Sequence, residues 1–537
     1  LGIDGWRTGD LQKNIRLICS ILVPSGIWLG RIRGTGVIRL ELQFQKEVIS
    51  YLDRVVWESQ TQEQTQELRL SEAMADIGMI LSAWGQVILR SKQWRNDCVC
   101  VTGGISVWVI YLPEGESKPQ SVDCWIPFQM KWNLPRMDQE GTMSLDCNLQ
   151  YLDARLISAR KMMIRAGIGA TLEALVESEA ETYTPIELSE DVQLLKTTFP
   201  LNLTCEAGEK AFSLEEELNI PATLPAPEKI LYYNVNPKVT ETQIDENKLI
   251  IRGNAPLHMG YLDSEGTLNA CTLDMMFSQL ISLKQNRTNM AKATVTMAVS
   301  NLEVDIFDGC LDVRCGLVGQ YAVEDQVELD VVKDAYSTTR PLKITTQTIN
   351  IPTQLERKHI QEPVSVHLEA SADVVLDSWF LTEQPLSYRE EDHLRLEVIG
   401  QCGVLYRDED GKIANTTARW ELQTQMPGIQ DCKVLVMGLS GGAEKCTVSP
   451  NGVQMQTEPL ITICTLVKES ISMISGLELG EQTEGEKEKP ALILRRAEND
   501  DLWNLAKESG STVDMIRKAN QLEGSPQPGQ WLLIPLC

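Results

Sequence analysis

The chain has 537 residues, with 49 Lys+Arg against 75 Asp+Glu, a net charge of −26 and 43% hydrophobic residues. At roughly 150 residues per domain this length builds about three to four domains, each able to bury a core. The acidic field repels phosphates and excludes a nucleic-acid or anionic-membrane binder, leaving basic or neutral partners open.

Fourteen Cys are too sparse for a disulfide scaffold, and no two C-x-x-C units stand at zinc spacing. The thiols read as reduced, small hydrophobes, and no metal or cofactor is expected.

Residues 1–39 carry six basic residues against Asp4 and Asp10, with no Glu and many Gly, so the segment is +4 and the remainder −30. It is expected to be sequence upstream of the true start, a basic anchoring arm or a disordered tail. Within it Ile15 to Gly30 is apolar but interrupted by Arg16, Ser20, Pro24 and Ser25. That run is too broken for a spanning helix or a signal peptide, and the protein reads as soluble and not secreted.

From residue 40 onward the chain resembles itself at an offset near 150 residues. Val101-Thr102-Gly103-Gly104 with Tyr111 matches Ile251-Arg252-Gly253-Asn254 with Tyr261, and Ile80-Leu81 matches Ile230-Leu231. Downstream the offset becomes 149, where Phe128 meets Phe277 and Ile164-Arg165-Ala166-Gly167-Ile168 meets Val313-Arg314-Cys315-Gly316-Leu317. A weaker third copy follows, in which Leu405 to Gly411 matches Gly260 to Gly266 without a clear Arg-x-Gly counterpart.

Each copy alternates apolar with polar residues over short runs, as in Val295, Met297, Val299 and Leu302, Val304, Ile306. Asp-Gly or Asn-Gly at 308–309, 410–411 and 451–452 supplies hairpin turns. The expected fold is mainly β: three tandem antiparallel β repeat domains (40–187, 188–340 and 341–470), an acidic linker (471–490), and a small C-terminal βααβ domain (491–537). The linker, rich in Glu, Lys and Gly, is expected to let the last domain move independently.

In that last domain Leu492 to Arg495 reads as a strand, and Asn499-Asp500-Asp501 caps a helix carrying Leu502, Leu505 and Ala506. Gly510 ends it. Ser511 or Thr512 caps a second helix closed by Asn520, and Gln530 to Pro535 forms a final strand. With Asp-x-Leu-Trp-x-Leu-Ala-Lys, Thr-Val-x-x-Ile-x-Lys-Ala-Asn and Pro-Gly-Gln-x-Leu-x-Ile-Pro, the segment resembles a LysM domain. The resemblance implies a ligand edge at Asn499, Asp500, Asp501, Leu522, Glu523, Gly524 and Ser525. Such domains bind N-acetylglucosamine-containing glycans. Here Asn499 replaces the usual Gly and Asp501 the usual Thr, which makes the edge more acidic and favours a protein ligand. Trp503 has a plain alternative role as a brace for the small core.

Three acidic β repeats, an acidic linker and one LysM resemble the SipL-type proteins of clostridial spore formation, whose repeat is the SPOCS domain. The resemblance implies a non-enzymatic morphogenetic scaffold in the mother-cell cytoplasm at the forespore surface, within the spore coat. Its partner would be a SpoIVA-like coat morphogenetic ATPase or another coat protein, and sheet edges would allow self-association. The alternative is a peptidoglycan-binding envelope protein. No catalytic constellation is visible: His258, His359, His367 and His393 lie in unrelated contexts, and Glu215-Glu216-Glu217 and Glu390-Glu391-Asp392 read as solvated charge runs. His258 is expected on a strand surface.

Overall fold

The computed structural model describes residues 40–42, 44–135, 140–185, 190–390, 393–427, 432–440, 444–481, 492–497 and 501–536. The basic segment 1–39 therefore lies outside the described residues. After β1 (Leu40–Leu42), the first repeat comprises β2 (Phe44–Arg69), β3 (Ile77–Arg95), β4 (Cys98–Pro113), β5 (Gln120–Asn133), β6 (Thr142–Ser158) and β7 (Lys161–Pro185). The second comprises β8 (Val192–Leu218), β9 (Lys229–Val235), β10 (Lys238–Asp245), β11 (Lys248–Asn254), β12 (Leu257–Leu262), β13 (Leu268–Leu273), β14 (Met276–Ser282), β15 (Lys292–Phe307) and β16 (Cys310–Ser337).

The third comprises β17 (Leu342–Gln361), β18 (Val364–Leu368), β19 (Ala372–Thr382), β20 (Leu386–Glu390), β21 (His393–Asp408), β22 (Ile413–Pro427), β23 (Cys432–Ser440), β24 (Lys445–Ser449), β25 (Gly452–Thr457) and β26 (Leu460–Leu479). The C-terminal unit is β27 (Leu492–Arg496), α1 (Leu502–Ser509), α2 (Val513–Asn520) and β28 (Trp531–Pro535).

One topology recurs. The first and last strands of each repeat pair antiparallel along their length: β2 with β7, β8 with β16, and β17 with β26. A further strand (β6, β15 or β23) adds to the last, and a three-stranded meander forms a second layer; in the third repeat β24 and β25 come between β23 and β26 and pair with β18 as an additional small sheet. In the first repeat that meander is β3-β4-β5. In the second it is cut into two short sheets, β9-β12-β13 and β10-β11-β14. The cuts fall at Pro237, Pro256 and the Asp274-Met275 pair, the two prolines having no N–H for a ladder. The layers enclose one apolar core per repeat. In β5, Ile126, Phe128, Met130 and Trp132 are buried while Pro127, Gln129, Lys131 and Asn133 are exposed, the period-two pattern of a half-buried strand.

Bulges repeat with the topology. In the meanders an extra residue sits at Leu81, Leu231 and Leu376; in the outer pairs, at Val55, Cys205 and Thr353. Each inserts one residue against its partner strand, bending the ribbon at the same place in every copy.

The outer ribbons extend beyond the second set of bulges into a stem. There Tyr51 and Ala180, Leu201, Leu203, Leu329 and Val331, and Ile349, Ile351, Ile471 and Met473 share one core drawn from all three repeats. A buried ion network accompanies it. Arg54 donates to Glu173 at 2.5 Å and to Glu324 at 3.4 Å, and Arg357 reaches Glu324 at 3.3 Å. At the other end, Leu81, Trp84 and Ile110 meet Leu231, Tyr232, Leu262, Leu268 and Leu405. The repeats are thus fastened at two levels.

One expectation is corrected. Residues 471–479 are not linker but the last turn-free length of β26, where Ile471, Met473, Ile474, Leu477 and Leu479 are buried. The alternation of Ile471, Met473, Leu477 and Leu479 is a strand signal that the neighbouring Glu and Gly residues mask. Among the described residues no helix is long and apolar enough to cross a membrane.

Candidate interaction sites

The C-terminal unit has the order strand, helix, helix, strand, and its strands pair antiparallel with Leu494 opposite Leu533 and Arg496 opposite Trp531. Asp501 is the N-cap of α1, its carboxylate accepting from the Trp503 N–H at 3.3 Å. Gly510 ends that helix with φ 65, donating to the Ala506 carbonyl; only a residue without Cβ takes this conformation freely. Thr512 caps α2 by accepting from the Met515 N–H at 3.1 Å. Gln521, not Asn520, is the left-handed C-cap. Asn520 instead clamps α2 to β28: its amide donates to the carbonyls of Ile516 and Leu533 and accepts from the Leu533 N–H.

Of the expected ligand edge, Asn499 and Asp500 lie outside the described residues. Asp501 is engaged in capping. Leu522 turns inward against the small core, while Glu523, Gly524 and Ser525 are exposed. Nothing lies within 4 Å of a Cβ built on Gly524. Among the described residues no hydrogen bond or ion pair joins Asp501 to 522–525.

The unit docks on the stem of the second repeat, where free movement had been expected. The Trp503 indole N–H donates to Asp334 Oδ2 at 2.8 Å, and Lys507 Nζ donates to both Asp334 oxygens at 2.8 and 2.7 Å. The Tyr336 hydroxyl donates to the Ser511 carbonyl at 2.8 Å, and its ring meets Trp503 edge-on at 4.9 Å. Trp503 thus braces the small core, and Tyr336 of β16 completes that core. Burial acts to raise the Asp334 pKa, but the donors from Lys507, Trp503 and the Ala335 N–H outweigh it and hold the carboxyl below its ordinary range.

Opposite this dock the small sheet presents an apolar face to solvent. Leu492, Leu494, Leu533 and Trp531 are exposed in one strip, Trp531 by 62%. Alternation along β27 and β28 places them there, since Leu532 and Ile534 point inward. Neither this strip nor the Asp334 dock is legible as a site in the sequence, although the exposed set follows from period two once the strands are accepted.

A second polar constellation lies where the second and third repeats meet. His258 on β12 has Nε2 2.9 Å from Asp377 Oδ2 and Nδ1 3.0 Å from Thr272 Oγ1. The Tyr232 hydroxyl donates to the same Asp377 oxygen. Trp84 of the first repeat stacks on Tyr232 at 4.5 Å, so all three repeats contribute. The Ser378 hydroxyl donates to Glu444 at 3.1 Å. Burial and the nearby Asp377 push Glu444 up to about 7, and Asp377 raises His258 against the opposing effect of burial. His258 is therefore a junction residue, 24% exposed, and not a freely solvated one. Its chain Asp377-His258-Thr272 joins β19 to β12 and β13. Ser82, Tyr232 and Asp377 each follow an equivalent bulged leucine, and of these three matching positions Tyr232 and Asp377 meet in the polar junction.

Residues 227–307 match the family model described as SipL, SPOCS domain. The match spans β9 to β15 of the second repeat. Comparison with curated proteins and with solved structures gave no match.

Proposed function

We propose that this chain is a non-enzymatic scaffold of spore coat or envelope morphogenesis whose C-terminal unit, LysM-like in kind, binds a coat protein partner. The observation that carries the reading is the SPOCS match at 227–307, which links the chain to sporulation. The same strand topology recurs before and after that segment, consistent with three copies of one module. The partner proposed is a SpoIVA-like coat morphogenetic ATPase, met in the mother-cell cytoplasm at the forespore surface.

The apolar strip of Leu492, Leu494, Trp531 and Leu533 supports a protein contact, because an exposed aromatic among aliphatic side chains is the composition of an interface centre. The ligand edge proposed with it remains Asn499, Asp500, Asp501 and the 522–525 loop.

The test uses the full chain as bait, against a sporulating-cell lysate and, separately, against purified peptidoglycan. Retention of a coat ATPase, lost on Trp531→Ala, is the expected result. Retention on peptidoglycan alone overturns it and moves the protein to the glycan-binding alternative.

A further inference from the structure

The meander of the second repeat ends on β14, which among the described residues pairs with β11 alone. The Leu283 N–H donates to the Asn247 carbonyl, and the Ala255 N–H donates to the Met275 carbonyl. Odd-numbered residues of this segment therefore direct their backbone groups toward β11. Met276, Ser278, Leu280 and Ser282 direct theirs away from the sheet, because backbone direction alternates along an antiparallel strand. The Leu280 carbonyl confirms the parity by accepting from the exposed Lys210 ammonium at 2.9 Å.

Those four residues are also the exposed ones, Met276 by 66% and Leu280 by 51%. From Met275 to Leu283 there is no charge, no Pro and no Gly. The corresponding edges are guarded: β5 exposes Pro127 and Lys131, and β22 exposes Arg419 and Glu421. Edge strands are ordinarily protected by such residues against pairing with another chain. Of the three edges, only the one on the second repeat carries no such residue in its own strand; its cover comes from β8, where Lys210 meets the Leu280 carbonyl and Glu206 accepts from the Lys284 N–H just past the strand end.

We propose that β14 is the surface through which two copies of this chain associate, by antiparallel strand pairing centred on Ser278. The segment is self-complementary in that register. Ser278 faces its own copy, and Met276 faces Leu280 of the second copy on either side, so one rotation satisfies both chains. The outward N–H and C=O groups of residues 276, 278 and 280 gain partners, with Lys210 released to water. That register selects a second copy, and charge selects the place: two chains of −26 repel over most of their surfaces and approach at least cost along an uncharged edge. Salt therefore strengthens the association by screening that repulsion. A single strand pair is a small interface, and the dimer belongs to the weak, transient class.

This inference deepens the scaffold reading, yet the two fail separately: a chain that captures its coat partner but never self-associates overturns only this one. Sedimentation velocity of the full chain over a concentration series, at low and high salt, is the test. The expected result is a concentration-dependent dimer favoured by salt and weakened at least about tenfold by Leu280→Lys or Met276→Lys. Gln129→Lys, on the matching edge of the first repeat, leaves it unchanged. Hydrogen exchange on the unmutated chain reads the same contact independently, through slowed exchange of the Ser278 and Leu280 amides as concentration rises. A monomer at every concentration in high salt overturns the proposal, as does a dimer that Leu280→Lys leaves intact or whose 276–282 amides exchange as in the monomer.

Discussion

The Trp503 indole N–H donates to Asp334 at 2.8 Å across 169 residues of sequence, tying the first helix of the C-terminal unit to the stem of the second repeat. Asp334→Ala removes the acceptor for both Trp503 and Lys507 and is expected to weaken docking by about 1–3 kcal/mol. Hydrogen exchange in 502–509 then quickens while thermal unfolding of the repeats stays put. Lys507→Met has a smaller effect, because that ammonium is 40% exposed and its ion pair is screened.

At the junction of the second and third repeats, stability is expected to fall as pH rises. Glu444 is raised to about 7 by burial and by Asp377, and a group raised in the folded state stabilises below its unfolded pKa and loses that contribution as pH climbs through the folded one. His258, also raised by Asp377 against burial, works in the same direction. Thermal melts between pH 5 and pH 8 check this. The Glu444 contribution is up to about 3 kcal/mol, lost between about pH 4.5 and pH 7, and Glu444→Gln flattens that part of the profile. A melt temperature rising over this window defeats the assignment.

In the stem, Arg54 is 4% exposed and Glu173 10%. Arg54→Met strands a buried carboxylate and is expected to cost roughly 3–5 kcal/mol, much of it recovered by adding Glu173→Leu, since replacing a whole buried pair by apolar groups is far less damaging than breaking it. Denaturant titration of the single and double variants gives the comparison.

Three glycines make a matched set. A Cβ on Gly103 meets the Ile88 carbonyl at 2.4 Å and the Phe128 ring at 2.7 Å. On Gly253 it meets Phe277 and the Lys238 carbonyl at 2.2 and 2.3 Å. Gly400 stands the same way between the Leu381 carbonyl and the Trp420 ring. Each Gly→Ala is expected to destabilise by about 1–3 kcal/mol because a backbone carbonyl cannot yield. Gly524→Ala, in open space, is the neutral control in the same melts.

That set also shows what the sequence could and could not disclose. Gly103 and Gly253 are readable because each keeps its Phe and stands eight residues before a Tyr. Gly400 escapes notice because Trp420 replaces the Phe and the distance to Tyr406 shrinks to six. The turn after the middle strand is legible in two copies. Asp263 Oδ1 accepts from the N–H groups of Glu265 and Thr267, as Asp408 Oδ1 does from those of Asp410 and Lys412. Gly266 and Gly411 take φ near 80.

The stem is not legible, since its partners are more than 100 residues apart and each long ribbon changes face at a bulge. In the C-terminal unit, capping by Asp501 follows from its position before Leu502. The dock on Asp334 does not, because that aspartate sits in an ordinary-looking strand of a different repeat.

Pairing of the first strand of each repeat with its last has a consequence for synthesis. When β8 leaves the ribosome, the strand it must pair with is still about a hundred codons away, and such distant pairing makes folding slow. During that interval a 27-residue strand waits with open edges, the condition in which partly made β proteins misassociate. Each repeat passes through the same delay. Interrupting translation within 460–479 would leave β17 without the antiparallel partner it pairs with along that length, so a nascent chain stalled there is expected to hold two finished modules and one open one. Force or protease applied to ribosome-bound chains of increasing length would register three abrupt gains in resistance, each as a closing strand emerges.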